Sequence, residues 1–163
     1  TLKPSSTTPA EVSIDDTAKL KICFDDAVQN FGIAFEMPDV NTGTYRFEPT
    51  GERAERYGLG AIKGTGQGAI EAIVQAREAG GRFKSFFDFC ARVDRSRINK
   101  RVVEALIKAG AFDGLEPNRA ALLASVSLGF EYADTQAAHA DQGGLFDFGD
   151  AHGSSTQEPE LVA

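Results

Sequence analysis

Residues 60–70, "GAIKGTGQGAI", constrain this chain more than any other stretch. Gly60, Gly64, Gly66 and Gly68 fall within nine residues, and an apolar helical period begins directly after them. A backbone this rich in glycine can turn sharply and come close to what it faces, because no Cβ intervenes. The helix that follows offers free N–H groups and the positive end of its dipole, which suit an anion. A phosphate is the expected ligand, from a nucleotide cofactor or from a nucleic-acid backbone.

The cofactor reading is the weaker one. Gly64-Thr65-Gly66-Gln67-Gly68-Ala69 satisfies G-x-G-x-x-A, but a dinucleotide site needs an apolar strand before the first glycine, inside a βαβ unit. Residues 57–63 carry two glycines and suit a helical turn, and no second strand with a terminal acid follows. A Walker A loop fails because no G-K-[ST] is present. What fits is a short helix at 59–62, a Gly-x-Gly hairpin at 63–66 and a second helix at 68–79, the helix-hairpin-helix pattern. Thr65 stands where a large aliphatic residue is usual. In this reading Lys63, Gly64, Thr65, Gly66, Gln67 and Gly68 meet duplex phosphates without reading bases, and Arg77 or Lys84 adds neutralising charge. A glycine turn that merely packs two helices is the alternative.

Charge distribution favours the polyanion. The formal charge is −7, yet residues 56–119 hold twelve Lys/Arg against seven Asp/Glu. Residues 120–163 hold no base and seven acids, and residues 1–55 hold five bases and ten acids. A basic middle between acidic flanks is the asymmetry of a polyanion-binding module. Cys23 and Cys90 lack a CxxC partner or a nearby His, so reduced thiols are expected and no metal site. No run approaches 18 apolar residues and no leader-like apolar segment opens the chain, which points to a soluble intracellular protein.

The expected fold is mainly α. A helix spans 14–31, capped by Asp15 or Asp16 and ended by Gly32, and short extended pieces surround a Pro/Asn/Gly turn within 33–47. Residues 48–55 read as a charged loop. Ser85 caps a short Phe-rich helix ending at Arg92, and residues 99–109 form a strong helix closed by Gly110. A last helix runs from Arg119 to about 137 after Asn118. The "EALIKAGAFDGL" stretch forms a second hairpin at Gly110-Ala111-Phe112, without the second glycine. It is expected to pack on the first, with Lys100, Arg101 and Arg119 available to phosphates. The ends, 1–13 and 138–163, are polar, aperiodic and expected to be disordered.

Three segments, "PDVNTGTYRF", "YGLGAIKGTGQGAIEAIVQAREAGGRFKSFFDFCARVD" and "NKRVVEALIKAGAFDGLEPNRAALL", resemble in order and spacing the bacterial replicative DNA polymerase III alpha subunits, the C family of DNA-directed DNA polymerases. The similarity runs from about Ile14 to Phe148. It implies that 14–55 ends the fingers, 56–125 is a tandem helix-hairpin-helix domain gripping double-stranded DNA, 126–137 finishes a helix, and 138–163 is a tail. In that place the family carries a sliding-clamp-binding peptide, which Gln142-Gly143-Gly144-Leu145-Phe146 resembles. Gln142 would then take a polar subsite on the clamp, the beta subunit, and Leu145 and Phe146 an apolar pocket. The polymerase palm with its catalytic carboxylates and magnesium is not matched, so no catalytic residue and no cofactor is expected here. The expected partners are duplex DNA, the clamp and the remaining parts of the replicative holoenzyme, in the bacterial cytoplasm.

Overall fold

The computed structural model describes residues 17–143 and 158–162. In chain order it has α1 (Thr17–Phe31), β1 (Ala34–Glu36), β2 (Glu48–Gly51), β3 (Ala54–Arg56), a 3₁₀ turn (Leu59–Ala61), α2 (Gln67–Gly80), α3 (Phe86–Arg92), α4 (Lys100–Lys108), α5 (Arg119–Ala124) and α6 (Val126–Gly143). The chain is mainly α, as its periodicities predict. The proposed caps Asp15 and Asp16, and residues 1–13, lie outside the described residues.

The helix boundaries follow from side-chain chemistry. Ser85 accepts from the N–H of Asp88, Asn99 from that of Val102, and Asn118 from that of Ala121, so three helix starts have a side-chain oxygen on an otherwise unpaired donor. Gly110 ends α4 with φ +88, a conformation that costs glycine little.

The core centres on α3. Phe86, Phe87, Phe89 and Cys90 are all buried, and Phe89 and Phe112 stack edge to face with centroids 4.8 Å apart. Fully burying one such ring stabilises by about 1.5–3 kcal/mol. Burial also pushes the Cys90 thiol up to about 12, which keeps it protonated. Asn41 joins the loop before the sheet to this core. Its amide donates to Phe83 O at 3.2 Å and accepts from Phe83 N at 2.7 Å.

Three sequence expectations differ from the structure. Residues 48–55 are not a charged loop: β2 pairs antiparallel with β3, which pairs parallel with β1, giving the order β1-β3-β2. Cross-strand ion pairs of Arg56 with Glu36 and Glu48, both 3.6 Å, occupy one face, so the charges that suggest a loop are sheet partners. The register places Phe35 and Glu55 opposite each other on the other face. Residues 119–137 are not one helix either. The helix breaks at Ser125, whose N–H is shared by Ala121 O and Leu122 O, and α6 continues past 137 to Gly143. Nor is the whole of 138–163 a loose tail, since residues 158–162 contact the core through Ser85 and Ser125.

Candidate nucleic-acid interface

The 3₁₀ turn that opens the hairpin is held from behind. Leu59 is fully buried, and the N–H groups of Leu59 and Gly60 donate to Thr44 O and Tyr45 O at 2.8 and 3.0 Å. Gly60 has no room for a side chain: a Cβ there would come within 2.3 Å of the Tyr45 ring. At the tip Gly64 takes φ +95 and lies against Ala105 of α4, where a Cβ would be in ordinary contact at 3.6 Å. Two different constraints, a close approach and a left-handed φ, thus account for two of the clustered glycines.

Thr65 is part of the turn's own structure. Its hydroxyl lies 2.7 Å from Ile62 O and 3.1 Å from Leu59 O, closing the end of the 3₁₀ turn. The aliphatic residue usual at this place is therefore replaced by a hydroxyl that adds a second hydrogen bond to two carbonyls which already accept the N–H groups of Ile62 and Thr65. Gly66 caps α2 in extended conformation (φ −123, ψ 156), with no side-chain cap, no acid in the helix's first turn, and open space where its Cβ would be. The N-terminus of α2 is consequently open to an anion.

Facing it is α4. Arg101, Glu104, Ala105 and Lys108 stand at i, i+3, i+4 and i+7, one stripe of the helix, and with Lys63, Gly64, Thr65, Gly66, Arg97 and Asn99 they line a single open cleft of about 990 Å³. Among the described residues Lys63, Arg101 and Lys108 make no ion pair, whereas Arg97 is bound by Glu71 (3.2 Å) and Gln75 (3.0 Å). Glu104 is the one acid among the described residues of the lining.

The structure brings Lys63, Gly64, Thr65, Gly66 and Arg101 to this cleft; Gln67 and Gly68 follow in the first turn of α2. Other expected contacts are engaged elsewhere. Lys100 donates to Ser127 Oγ at 3.0 Å. Arg119 is paired with Asp113 at 2.6 Å and donates to Lys108 O at 3.3 Å, and the pairing holds the Asp113 carboxyl below its ordinary range. Arg77 acts as a pin, donating to Val40 O (2.9 Å) and Gly43 O (2.8 Å). The second hairpin is turned inward, with Ala111 and Phe112 buried in the core. Leu145 and Phe146 lie outside the described residues, and of Gln142 only its backbone place in α6 is described.

Lys108 and Arg97 belong to the cleft although the glycine motif does not point to them. The seven-residue spacing of Arg101 and Lys108, two helical turns, is the signal that marks them as one stripe.

The model of the helix-hairpin-helix motif family matches residues 32–122. The chain is 52% identical over 134 residues to the DNA polymerase III subunit alpha of Neisseria meningitidis, covering 82% of this chain and 12% of that protein. It is 46% identical over 149 residues to the subunit of the same name from Vibrio cholerae, and 42% identical over 149 residues to that of Escherichia coli, each covering 91% of this chain and 12% of the relative.

Proposed function

The chain belongs to the helix-hairpin-helix motif family and is homologous to one segment, about an eighth, of DNA polymerase III alpha subunits; from that premise we propose that it grips double-stranded DNA without sequence preference and tethers its polymerase to the sliding clamp. The observation that carries the DNA reading is the cleft, where the uncapped N-terminus of α2 faces Lys63, Arg101 and Lys108. A phosphate placed there meets first-turn N–H groups and a positive dipole end, while the three cations neutralise its neighbours along the strand. On this reading these groups meet phosphates and not base edges, so affinity comes from the backbone and falls with salt.

The tether rests on Gln142, Leu145 and Phe146, a polar anchor followed by an apolar pair in an acidic stretch. Two weak contacts on one polypeptide, to DNA and to a ring around it, multiply through effective concentration. The role proposed for this chain is processivity and not bond making. Among the described residues no three His, Cys, Asp or Glu side chains come together as a group that could hold a metal.

A second reading has its own support. Gly64 packs on α4 and the Thr65 hydroxyl is used internally, as in a hairpin that is structural only, in a protein-interaction segment. Anisotropy titration of a labelled duplex at low and moderate salt separates the two. Salt-sensitive binding that Lys63→Glu weakens severalfold, with unchanged helical circular dichroism, supports the DNA grip. A folded chain that binds no duplex at low salt leaves the hairpin as a packing turn.

A further inference from the structure

Residues 158–162, Glu-Pro-Glu-Leu-Val, run along the helical body with a period of two. Pro159 and Leu161 are half-buried while Glu158, Glu160 and Val162 are exposed, the alternation of an extended strand laid on a surface. Leu161 packs against the main core. Polar contacts fix both ends. Ser85 Oγ donates to Glu158 Oε1 at 2.8 Å, and the N–H of Val162 donates to Ser125 Oγ at 2.8 Å.

Both serines are placed for this by the fold. Ser125 is completely buried at the break between α5 and α6. Its hydroxyl oxygen accepts from a backbone donor brought by the segment, and a buried oxygen without such a partner is costly. Ser85 caps α3, accepting from Asp88 N at 3.0 Å while its own proton goes to Glu158. Tyr132 of α6 stands by the same groove, edge to face with Phe87 at 5.7 Å. Burial first, and the Glu158 carboxylate second, push its phenol upward.

We propose that the surface between the start of α3 and the α5–α6 junction is a docking groove for an extended acidic-apolar peptide, and that this chain's own residues 158–162 occupy it as a clip. The chain leaves the helical body at Gly143 and is held on it again at Glu158. The sequence between them includes Leu145 and Phe146. On the clamp-binding reading above, which this consequence rests on, the clamp peptide lies in the sequence between α6 and the clip. The clip itself does not depend on that reading.

Amide hydrogen exchange on the full chain tests it. The Val162 N–H is expected to exchange at least tenfold more slowly than in a synthetic peptide of residues 156–163. Leu161→Asp should abolish that protection, while Val103 and Leu106 in α4 keep theirs and so report an intact fold. The same synthetic peptide, added in excess, should shift the Ser85 and Tyr132 resonances of the Leu161→Asp chain but not those of the parent, whose groove is filled. Val162 exchange at the free-peptide rate in a chain with a protected α4 overturns the clip. Sliding-clamp binding of Leu145→Ala/Phe146→Ala is measured separately. Unchanged clamp affinity there, with Val162 still protected, removes the tether reading and leaves the clip standing.

Discussion

Glu55 is the residue whose surroundings least resemble what its type prefers. It sits on the central strand β3, 6% exposed, and among the described residues its Oε2 has no hydrogen-bond partner. Burial raises its carboxyl above the ordinary carboxylate value. A raised folded value means the proton is bound more tightly in the folded chain. The associated stability is complete below the unfolded value and is lost as pH rises through the folded one. Glu55→Gln, which cannot ionise, is therefore expected to melt above the parent at pH 7, with the difference shrinking toward about pH 4, near the unfolded value. Thermal melts across that range check it. A glutamine chain that is less stable at pH 7 contradicts the assignment. None of this is legible in the sequence, where "ERAER" reads as solvated charge. Burial comes from strand pairing, which turns every second side chain inward.

At the scale of elements, α3 and α6 show how packing overrides propensity. Gly129 lies inside α6, where alanine would ordinarily be favoured by about 1 kcal/mol. A Cβ there would come within 2.8 Å of both Cys90 Sγ and Phe86 Cε1 on α3. Overpacking a well-filled core costs about 1–3 kcal/mol, so steric conflict outweighs helix propensity and Gly129→Ala is expected to destabilise. Urea unfolding would show a lower midpoint with unchanged slope. A rise in stability would mean that α6 can shift away from α3 without loss. The helix starts at Ser85 and Asn118 were legible because capping is local, a side-chain oxygen reaching three residues ahead, and Asn99, expected as the first helical residue, is a third such cap. The break at Ser125 was not, because "ALLASVSLGF" keeps its apolar spacing across it.

Across the whole molecule, the bases of residues 56–119 serve different ends. Arg56, Arg92, Arg95 and Arg119 are paired with carboxylates, and Arg77 with backbone carbonyls, so they join elements of the fold. Arg92 and Arg95 also stack on Phe83 and Phe130, at 4.7 and 4.1 Å from the ring centroids. Lys63, Arg101 and Lys108, which make no ion pair among the described residues, line the cleft, with Glu104 between the last two on the same helix face. If phosphates bind there, Glu104→Gln removes a repulsion and should tighten duplex binding severalfold, whereas Arg101→Gln/Lys108→Gln should weaken it and lower the salt slope by about 2. Titrations at several salt concentrations check both signs, and binding indifferent to all three positions would place the DNA elsewhere. The helical class, the caps and the hairpin could be read from the chain alone, because periodicity, capping and glycine turns act over a few neighbouring residues. Folding in three dimensions was needed to establish which cations are free, that charged residues 48–56 pair as strands, that the second hairpin turns inward and that residues 158–162 return to the core. Each of these depends on groups far apart in the chain, and no local pattern encodes which distant partner reaches a charge or an apolar side chain first.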